Sequence, residues 1–248
     1  GGDFAGSRPV HLNVELDQPL ISAGPWEFGQ SDSAPRPAMV EPATAEPAHR
    51  EPTGASEFLA AGPLTLVIAG DNSPPEFADI ATNAGWPIVA EPSSNLRAAP
   101  TALAAGRLLL GVSELAPRIE RVVSLGHATI SRPVTALLSR SDIPMFHLGD
   151  QETFPVRAGS NVRFLEHLTA EPDQGAWAEE WIQADLSLSQ NLPSQDVLEV
   201  ARAVGQTIGP DAVLTLGPSQ VLRDLDLMMP AREPLPRVFS NRGLAGID

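Results

Sequence analysis

The sequence contains no cysteine, no lysine and no tyrosine among its 248 residues. Without cysteine, the chain cannot form disulfides, bind zinc or iron–sulfur clusters through thiolates, or use a thiol as a nucleophile. Without lysine and tyrosine, it has no Schiff-base amine and no phenolic general acid. No apolar run approaches the roughly 18 residues of a transmembrane helix, and the first residues do not begin a signal peptide, so we expect a cytoplasmic location.

Positive charge is also scarce, since 16 arginines face 31 acidic residues and the formal net charge is −15. A surface of this sign repels phosphate backbones and anionic lipid headgroups, so neither nucleic acid nor a membrane surface is an expected partner. An anionic ligand would have to be bound by arginine side chains, backbone N–H groups or helix N-termini.

The order of sequence patterns predicts several segments. Residues 9–16 alternate apolar and polar side chains, which predicts a strand that ends a first domain at residues 1–21. Residues 22–61 carry many prolines and predict an extended linker. A central domain is predicted at 62–172 and the beginning of another at 173–248. Because both ends fall inside such patterns, we expect the chain to be a segment of a larger protein.

Alternating strands and helices define the predicted fold class. Short apolar runs, each beginning or ending near glycine or proline, predict strands, and the segments between them predict helices. This alternation is typical of an α/β fold with a mostly parallel sheet flanked by helices, followed by the start of a second α/β domain. Ser73 is predicted to cap the first of these helices. The predicted strands are 64–70, 87–91, 121–126, 143–148, 211–217 and 237–240, and the main predicted helices are 75–83, 132–140, 177–189, 194–208 and 218–229.

Few side chains form a recognisable catalytic or metal-binding pattern. The five histidines lack metal-ligand spacing, and there is no phosphate-binding glycine loop or nucleophile elbow. His127 follows a strand-ending glycine, where either a ligand or a purely structural role fits. His147 lies inside an apolar strand and is interpreted as a hydrogen-bonded residue of the core or of a sheet edge.

Two strand ends offer groups that suit an anion. Ligands of open α/β sheets bind beyond the carboxyl ends of strands. Residues 216–219 and 239–243 place hydroxyls, backbone N–H groups and glycines at such ends, with Arg223 and Arg242 nearby. This combination suits a phosphate or a carboxylate, although an ordinary turn is the alternative.

Four segments together resemble one family. They read S-N-R-G-L-A-G-I-D at 240–248, P-V-H-L-N-V at 9–14, G-W-P-I-V-A-E-P at 85–92 and G-P-S-Q-V-L-R-D at 217–224. In order and spacing they resemble the thiamine-diphosphate-dependent 2-succinyl-5-enolpyruvyl-6-hydroxy-3-cyclohexene-1-carboxylate synthases, the MenD family of menaquinone biosynthesis. The nonapeptide is the most specific of the four.

The resemblance implies an activity and its cofactors. Members of this family have a pyrimidine-binding domain, a central domain and a diphosphate-binding domain, and they act as dimers or tetramers. They bind thiamine diphosphate and Mg²⁺, decarboxylate 2-oxoglutarate, and add the resulting carbanion to isochorismate. The cofactor accepts the electrons, and the protein supplies position and anion-binding groups.

Carried over by position, the resemblance assigns substrate contacts to Ser240, Arg242 and Arg132, and cofactor contacts to Gly217 and Ser219. Arg132 also begins a predicted helix, so a structural role is the alternative. The family usually has asparagine where this chain has Pro218, which puts that cofactor contact in doubt.

The family's activating glutamate and its metal motif fall outside the matched segment. No catalytic residue and no metal ligand is therefore expected here, and the chain alone is expected to be inactive. Two alternatives remain: an enzyme of the acetolactate-synthase type, or a metabolite-binding regulatory domain without catalysis. The nonapeptide is not the pattern of the acetolactate-synthase type, so the sequence departs from the first alternative. The sequence also has no glycine loop for a dinucleotide after residue 70, which argues against a dinucleotide as the ligand of a regulatory domain.

Overall fold

Short apolar runs form the strands of this chain, and helices connect them. The computed structural model describes residues 55–149, 153–192, 195–217 and 219–240. The predicted strand at 9–16 lies outside the described residues. The strands are β1 (Ser56–Leu59), β2 (Thr65–Ala69), β3 (Ile88–Ala90), β4 (Ala102–Leu103), β5 (Arg121–Leu125), β6 (Met145–Leu148), β7 (Val162–Leu165), β8 (His167–Ala170), β9 (Val213–Leu216) and β10 (Arg237–Ser240). The helices are α1 (Phe77–Asn83), α2 (Gly106–Val112), α3 (Arg132–Leu138), α4 (Ala176–Gln190), α5 (Asp196–Thr207) and α6 (Gln220–Met228).

The largest sheet has six strands in the order β4-β3-β2-β5-β6-β7, and every neighbouring pair is parallel. This confirms the predicted fold class. Two further parallel pairs, β1 with β8 and β9 with β10, form separate small sheets. Among the described helices, none is long and apolar enough to cross a membrane.

The two faces of the six-stranded sheet are both buried. Successive side chains of a strand point to opposite faces. Leu66 and Ile68 of β2 therefore pack into one core cluster, and Val67 and Ala69 pack into the other. A strand that is apolar throughout is typical of a parallel sheet covered by helices on both sides.

The strand order reverses between β2 and β5, where open α/β sheets usually bind ligands. Here the backbone of the chain closes this point. The N–H of His127 donates to the carbonyl of Asp71 at 2.9 Å, and the N–H of Asp71 donates to the carbonyl of His127 at 3.2 Å. A Cβ atom at Gly126, whose φ is +56°, would lie 2.1 Å from the Asp71 carbonyl oxygen. These hydrogen bonds join the segments that follow β2 and β5.

Because the contact at the crevice depends on glycine, we expect Gly126→Ala to lower the free energy of unfolding by about 1–3 kcal/mol. Urea denaturation of the two proteins measures this difference. The matched control is Gly209→Ala, since a Cβ atom at that exposed position meets nothing within 4 Å. Equal free energies of unfolding for the two variants would contradict the close contact between Gly126 and the carbonyl of Asp71.

Helix α4 packs against the six-stranded sheet. The indole Nε1 of Trp177 donates to the carbonyl of Thr65 at 2.9 Å, and Trp181 is completely buried in the same core cluster. The Asp185 carboxylate accepts the N–H groups of Ala104 and Ala105 at 3.0 and 2.7 Å. This helix, within the predicted segment 173–248, is therefore attached to the central sheet.

Two structural details differ from the sequence-based expectations. The last residues of the predicted linker 22–61 form β1, which pairs with β8 more than 100 residues away in the chain. Ser73 does not cap α1, because its Oγ donates to the carbonyls of Gly70 and Leu125 at 2.8 and 3.3 Å. The pairing of β1 arises from a partner that is distant in sequence, whereas the shorter hydrogen bond of Ser73 goes to Gly70, three residues before it.

The small sheet β9–β10 and helices α5 and α6 form the start of the second α/β unit. Their shared core contains Leu216, Leu222, Leu225 and Val238. One side of the sheet leaves apolar side chains exposed, including Phe239 at 46%. Residues 241–248, which follow β10, lie outside the described residues.

Candidate functional site

Three of the predicted site residues lie at one edge of the small sheet. Ser240 ends β10 and pairs in register with Leu216, which ends β9. Gly217 follows directly, and Ser219 precedes the first residue of α6. The carboxyl ends of two parallel strands therefore bring Ser240, Gly217 and Ser219 to the same edge of the small sheet. Arg242 and Pro218 lie outside the described residues.

This edge has both an unused polar atom and free space. The Oγ of Ser240 is buried and has no hydrogen-bond partner among the described residues. A Cβ atom at Gly217 would meet no described residue within 4 Å. The N–H of Ser219 donates to the carbonyl of Gly217 at 2.9 Å, which keeps the turn tight. A buried hydroxyl without a partner is costly, so a polar ligand there would restore its hydrogen bond.

Arg132, the remaining predicted contact, lies in a different place: a surface cleft of about 400 Å³ between α2, α3 and α6. Arg223, which was predicted to lie near an anion at the edge of the small sheet, lines this cleft together with Arg132. Arg107 was not singled out from the sequence. The cleft is lined by Arg107, Leu108, Ile130, Ser131, Arg132, Pro133 and Arg223.

The three arginines of the cleft differ in how they are paired. Arg107 forms an ion pair with Asp226 at 2.8 Å and donates to the carbonyl of Arg223 at 2.7 Å. The exposed guanidinium groups of Arg132 and Arg223 have no ion-pair partner among the described residues. The buried Oγ of Ser131 also lacks a partner in that part of the chain. Two available guanidinium groups and a hydroxyl suit a carboxylate or a phosphate.

Glu91 holds the loop that leads to Arg132. Its Oε1 accepts the N–H groups of Thr129 and Ile130, each at 2.7 Å. The side chain of Ile130 packs in the core of the second unit, beside Leu216. Glu91 was not predicted as a site residue, although it belongs to the segment G-W-P-I-V-A-E-P that the sequence singled out.

Arg97 connects the central sheet to the second unit. Its guanidinium group is buried and donates to the carbonyls of Ala90, Ala104 and Met229. Asp226 lies 3.5 Å from the same group. Burial lowers the pKa of Arg97, while the Asp226 carboxylate opposes this shift. The arginine therefore serves as a structural cation that satisfies several buried carbonyls.

The histidines singled out from the sequence make structural contacts. His147 is buried, with Nδ1 3.2 Å from Ser124 Oγ and Nε2 2.9 Å from Thr153 Oγ1. This confirms its interpretation as a hydrogen-bonded core residue. Nδ1 of His127 lies 2.9 Å from the carbonyl oxygen of Thr153. Across the described ranges, no group of three or more His, Asp or Glu residues is arranged to hold a metal ion.

The chain is similar to several proteins that share one name. No family model matches the chain. The chain is 39% identical to the 2-succinyl-5-enolpyruvyl-6-hydroxy-3-cyclohexene-1-carboxylate synthase of Nocardioides sp., over 97% of the chain and 46% of that protein. It is 33% identical to the synthase of the same name from Kineococcus radiotolerans, over 98% of the chain and 45% of the relative. It is 32% identical to the synthase of the same name from Leifsonia xyli subsp. xyli, over 100% of the chain and 48% of that relative. The chain thus spans a little under half the length of these relatives.

Proposed function

We propose that this chain, which belongs to the 2-succinyl-5-enolpyruvyl-6-hydroxy-3-cyclohexene-1-carboxylate synthase family, is the middle part of an enzyme with that activity. The enzyme would decarboxylate 2-oxoglutarate on thiamine diphosphate and add the resulting carbanion to isochorismate. The observation that carries this proposal is the 39% identity over 97% of the chain. Since the chain spans under half of such proteins, we propose that the 248 residues alone are inactive. We also propose that the whole enzyme is a cytoplasmic homo-oligomer.

The proposed domain organisation follows the predicted boundaries with the structural details added. Residues 1–21 would end the pyrimidine-binding domain, and 22–61 would link it to the central domain at 62–172. The segment 173–248 would begin the diphosphate-binding domain. The contacts of β1 and α4 shift two of these predicted boundaries: we propose that both elements belong to the central domain, so the diphosphate-binding domain would begin after α4.

The proposed substrate contacts are Arg132, Arg242 and Ser240. Both substrates carry carboxylates, and an arginine can bind a carboxylate through two parallel hydrogen bonds. The Arg132 guanidinium has no ion-pair partner among the described residues, and the buried Ser240 hydroxyl has no hydrogen-bond partner among them. Arg223, in the same cleft as Arg132, offers a second cation for the same purpose.

Gly217 and Ser219 are the proposed cofactor contacts. The open space at Gly217 and the strand end next to it suit a diphosphate group. When bound, thiamine diphosphate supplies the electron sink for decarboxylation. We propose that the ligands of Mg²⁺ lie in the rest of the whole enzyme.

The substrate proposal is tested by Arg132→Gln in the whole enzyme. Loss of a charged hydrogen bond is expected to raise KM for the substrate it binds by about tenfold to a hundredfold. The measurement is steady-state kinetics with isochorismate and 2-oxoglutarate. Arg157→Gln, a matched change at an exposed arginine, should leave KM unchanged. An unchanged KM in Arg132→Gln would leave this arginine with only its structural role.

The two alternatives predict different results in the same assays. An enzyme of the acetolactate-synthase type would consume pyruvate alone and would not need isochorismate. A regulatory domain without catalysis would use the arginine cleft, because Arg132 and Arg223 line it and have no ion-pair partner among the described residues. Calorimetric titration of the 248-residue chain with carboxylated metabolites tests it: saturable binding that Arg132→Gln removes would support this second function.

A further inference from the structure

Asn95 has an unusual backbone conformation beside the second unit. It ends the short 3₁₀ turn at Pro92–Ser94, which follows β3, with φ 57° and ψ 19°. This left-handed region is rare for residues other than glycine, and asparagine tolerates it better than most. Its Nδ2 donates to the carbonyl of Ser93 at 3.1 Å. The side-chain amide is therefore held in one orientation.

This amide pairs with both backbone groups of Val238 in β10. The N–H of Val238 donates to Asn95 Oδ1 at 2.7 Å, and Asn95 Nδ2 donates to the carbonyl of Val238 at 3.1 Å. The N–H of the preceding residue, Arg237, donates to the carbonyl of Ala212 just before β9. Asn95 thus acts on the side of β10 that faces away from β9, where it takes the place of a neighbouring strand at one residue.

The position of Val238 matters for Ser240. The two residues are two apart in one strand, so their side chains point to the same face. Val238 is almost completely buried, and Ser240 ends the strand with an unpartnered buried hydroxyl among the described residues. Any shift of β10 along or away from Asn95 would therefore move the Ser240 hydroxyl.

The same segment also controls the loop before Arg132. Glu91 lies four residues before Asn95, directly after β3, and accepts the N–H groups of Thr129 and Ile130. Residues 91–95, which follow β3, thus hold both the strand that ends at Ser240 and the loop that precedes Arg132.

We infer that Asn95 is a positioning residue for the reaction: its double hydrogen bond to Val238 sets where Ser240 stands relative to the central domain. This inference rests on the proposed function, because it takes Ser240 as a substrate contact. Reactions are sensitive to such placement, since a displacement of about 1 Å can cost about a hundredfold in rate. We do not assign a substrate contact to Asn95, because it acts through its hydrogen bonds to β10.

The test is a double-mutant cycle in the whole enzyme. Asn95→Gly keeps the left-handed backbone accessible and removes only the amide. We expect it to lower kcat/KM by about tenfold or more. In a Ser240→Ala background, the same change should lower kcat/KM by less than about threefold, because two residues that act as a unit are not additive. Asn191→Gly, a matched change at an exposed asparagine, should leave kcat/KM unchanged in both backgrounds.

Each outcome of the cycle decides one question. An equal loss in both backgrounds, or no loss from Asn95→Gly, would overturn the positioning role. If Asn95→Gly fails to fold, Asn95→Asp serves in its place, because it keeps the acceptor for the Val238 N–H and loses the donor. An inactive wild-type enzyme would overturn the proposed function instead. The contact itself is then tested by hydrogen exchange on the 248-residue chain, where Asn95→Gly should speed exchange of the Val238 amide; an unchanged rate would overturn the contact.

Discussion

Replacing Arg97 by methionine is expected to lower the free energy of unfolding by about 3–5 kcal/mol, the cost of breaking a buried charge network. Arg97 is 2% exposed, and its guanidinium group donates to the carbonyls of Ala90, Ala104 and Met229. Methionine fills much of the volume but donates no hydrogen bonds. The carbonyls would be left buried without a donor, and the Asp226 carboxylate would lose one of its two arginines.

Urea denaturation of the 248-residue chain measures this effect. Arg140→Met is the matched control, because Arg140 pairs with Asp142 at the surface. The control should change the free energy of unfolding by less than about 1 kcal/mol, the usual range of an exposed ion pair. Equal effects of the two substitutions would mean that Arg97 does not join the two units.

The central strands were predictable because their signal is local. A buried parallel strand appears in the sequence as an apolar run that ends at a turn, and β2, β3, β5 and β6 all have this form. Their confirmed positions fix the order of the chain through the sheet. The helices α4, α5 and α6 were predictable for the same reason, since each repeats its apolar residues with helical spacing.

The edges of the structure were not predictable in the same way. The strand β4 has only two residues, and β7 carries Arg163 in its middle. The strand β1 alternates polar and apolar residues beside a proline-rich stretch and pairs with β8, far along the chain. Such strands are defined by their partners, and a pattern read along one segment does not contain the partner.

The residues of the candidate site differ in the same way: some have a local signal in the sequence, and others do not. The placement of Ser240, Gly217 and Ser219 at one edge follows from strands that end at the same level, so sequence reasoning found it. Glu91, Asn95 and Arg97 have the opposite character. Their hydrogen bonds reach residues 129 and 130, residue 238, and residue 229 respectively. A side chain whose role depends on a partner more than 30 residues away leaves no local signal.

Replacing Trp181 by alanine is the second change with a large expected effect, about 3–5 kcal/mol of unfolding free energy. Trp181 is completely buried in α4, and its ring lies 5.7 Å from that of Trp177 in an edge-to-face arrangement. Alanine would leave a cavity between the helix and the central sheet. Thermal and urea denaturation of the 248-residue chain measure the loss.

Two further substitutions separate packing from other causes. Leu186→Ala removes a side chain from the same helix at a 39% exposed position and should cost less than about 1 kcal/mol. Trp181→Phe keeps an aromatic ring and removes an indole N–H that has no hydrogen-bond partner among the described residues, so it should cost less than Trp181→Ala. Equal losses from Trp181→Ala and Leu186→Ala would mean that α4 is not packed on the central sheet. The ordering we expect would instead make α4 part of the central domain, because a helix that stabilises a core by burial belongs to that core.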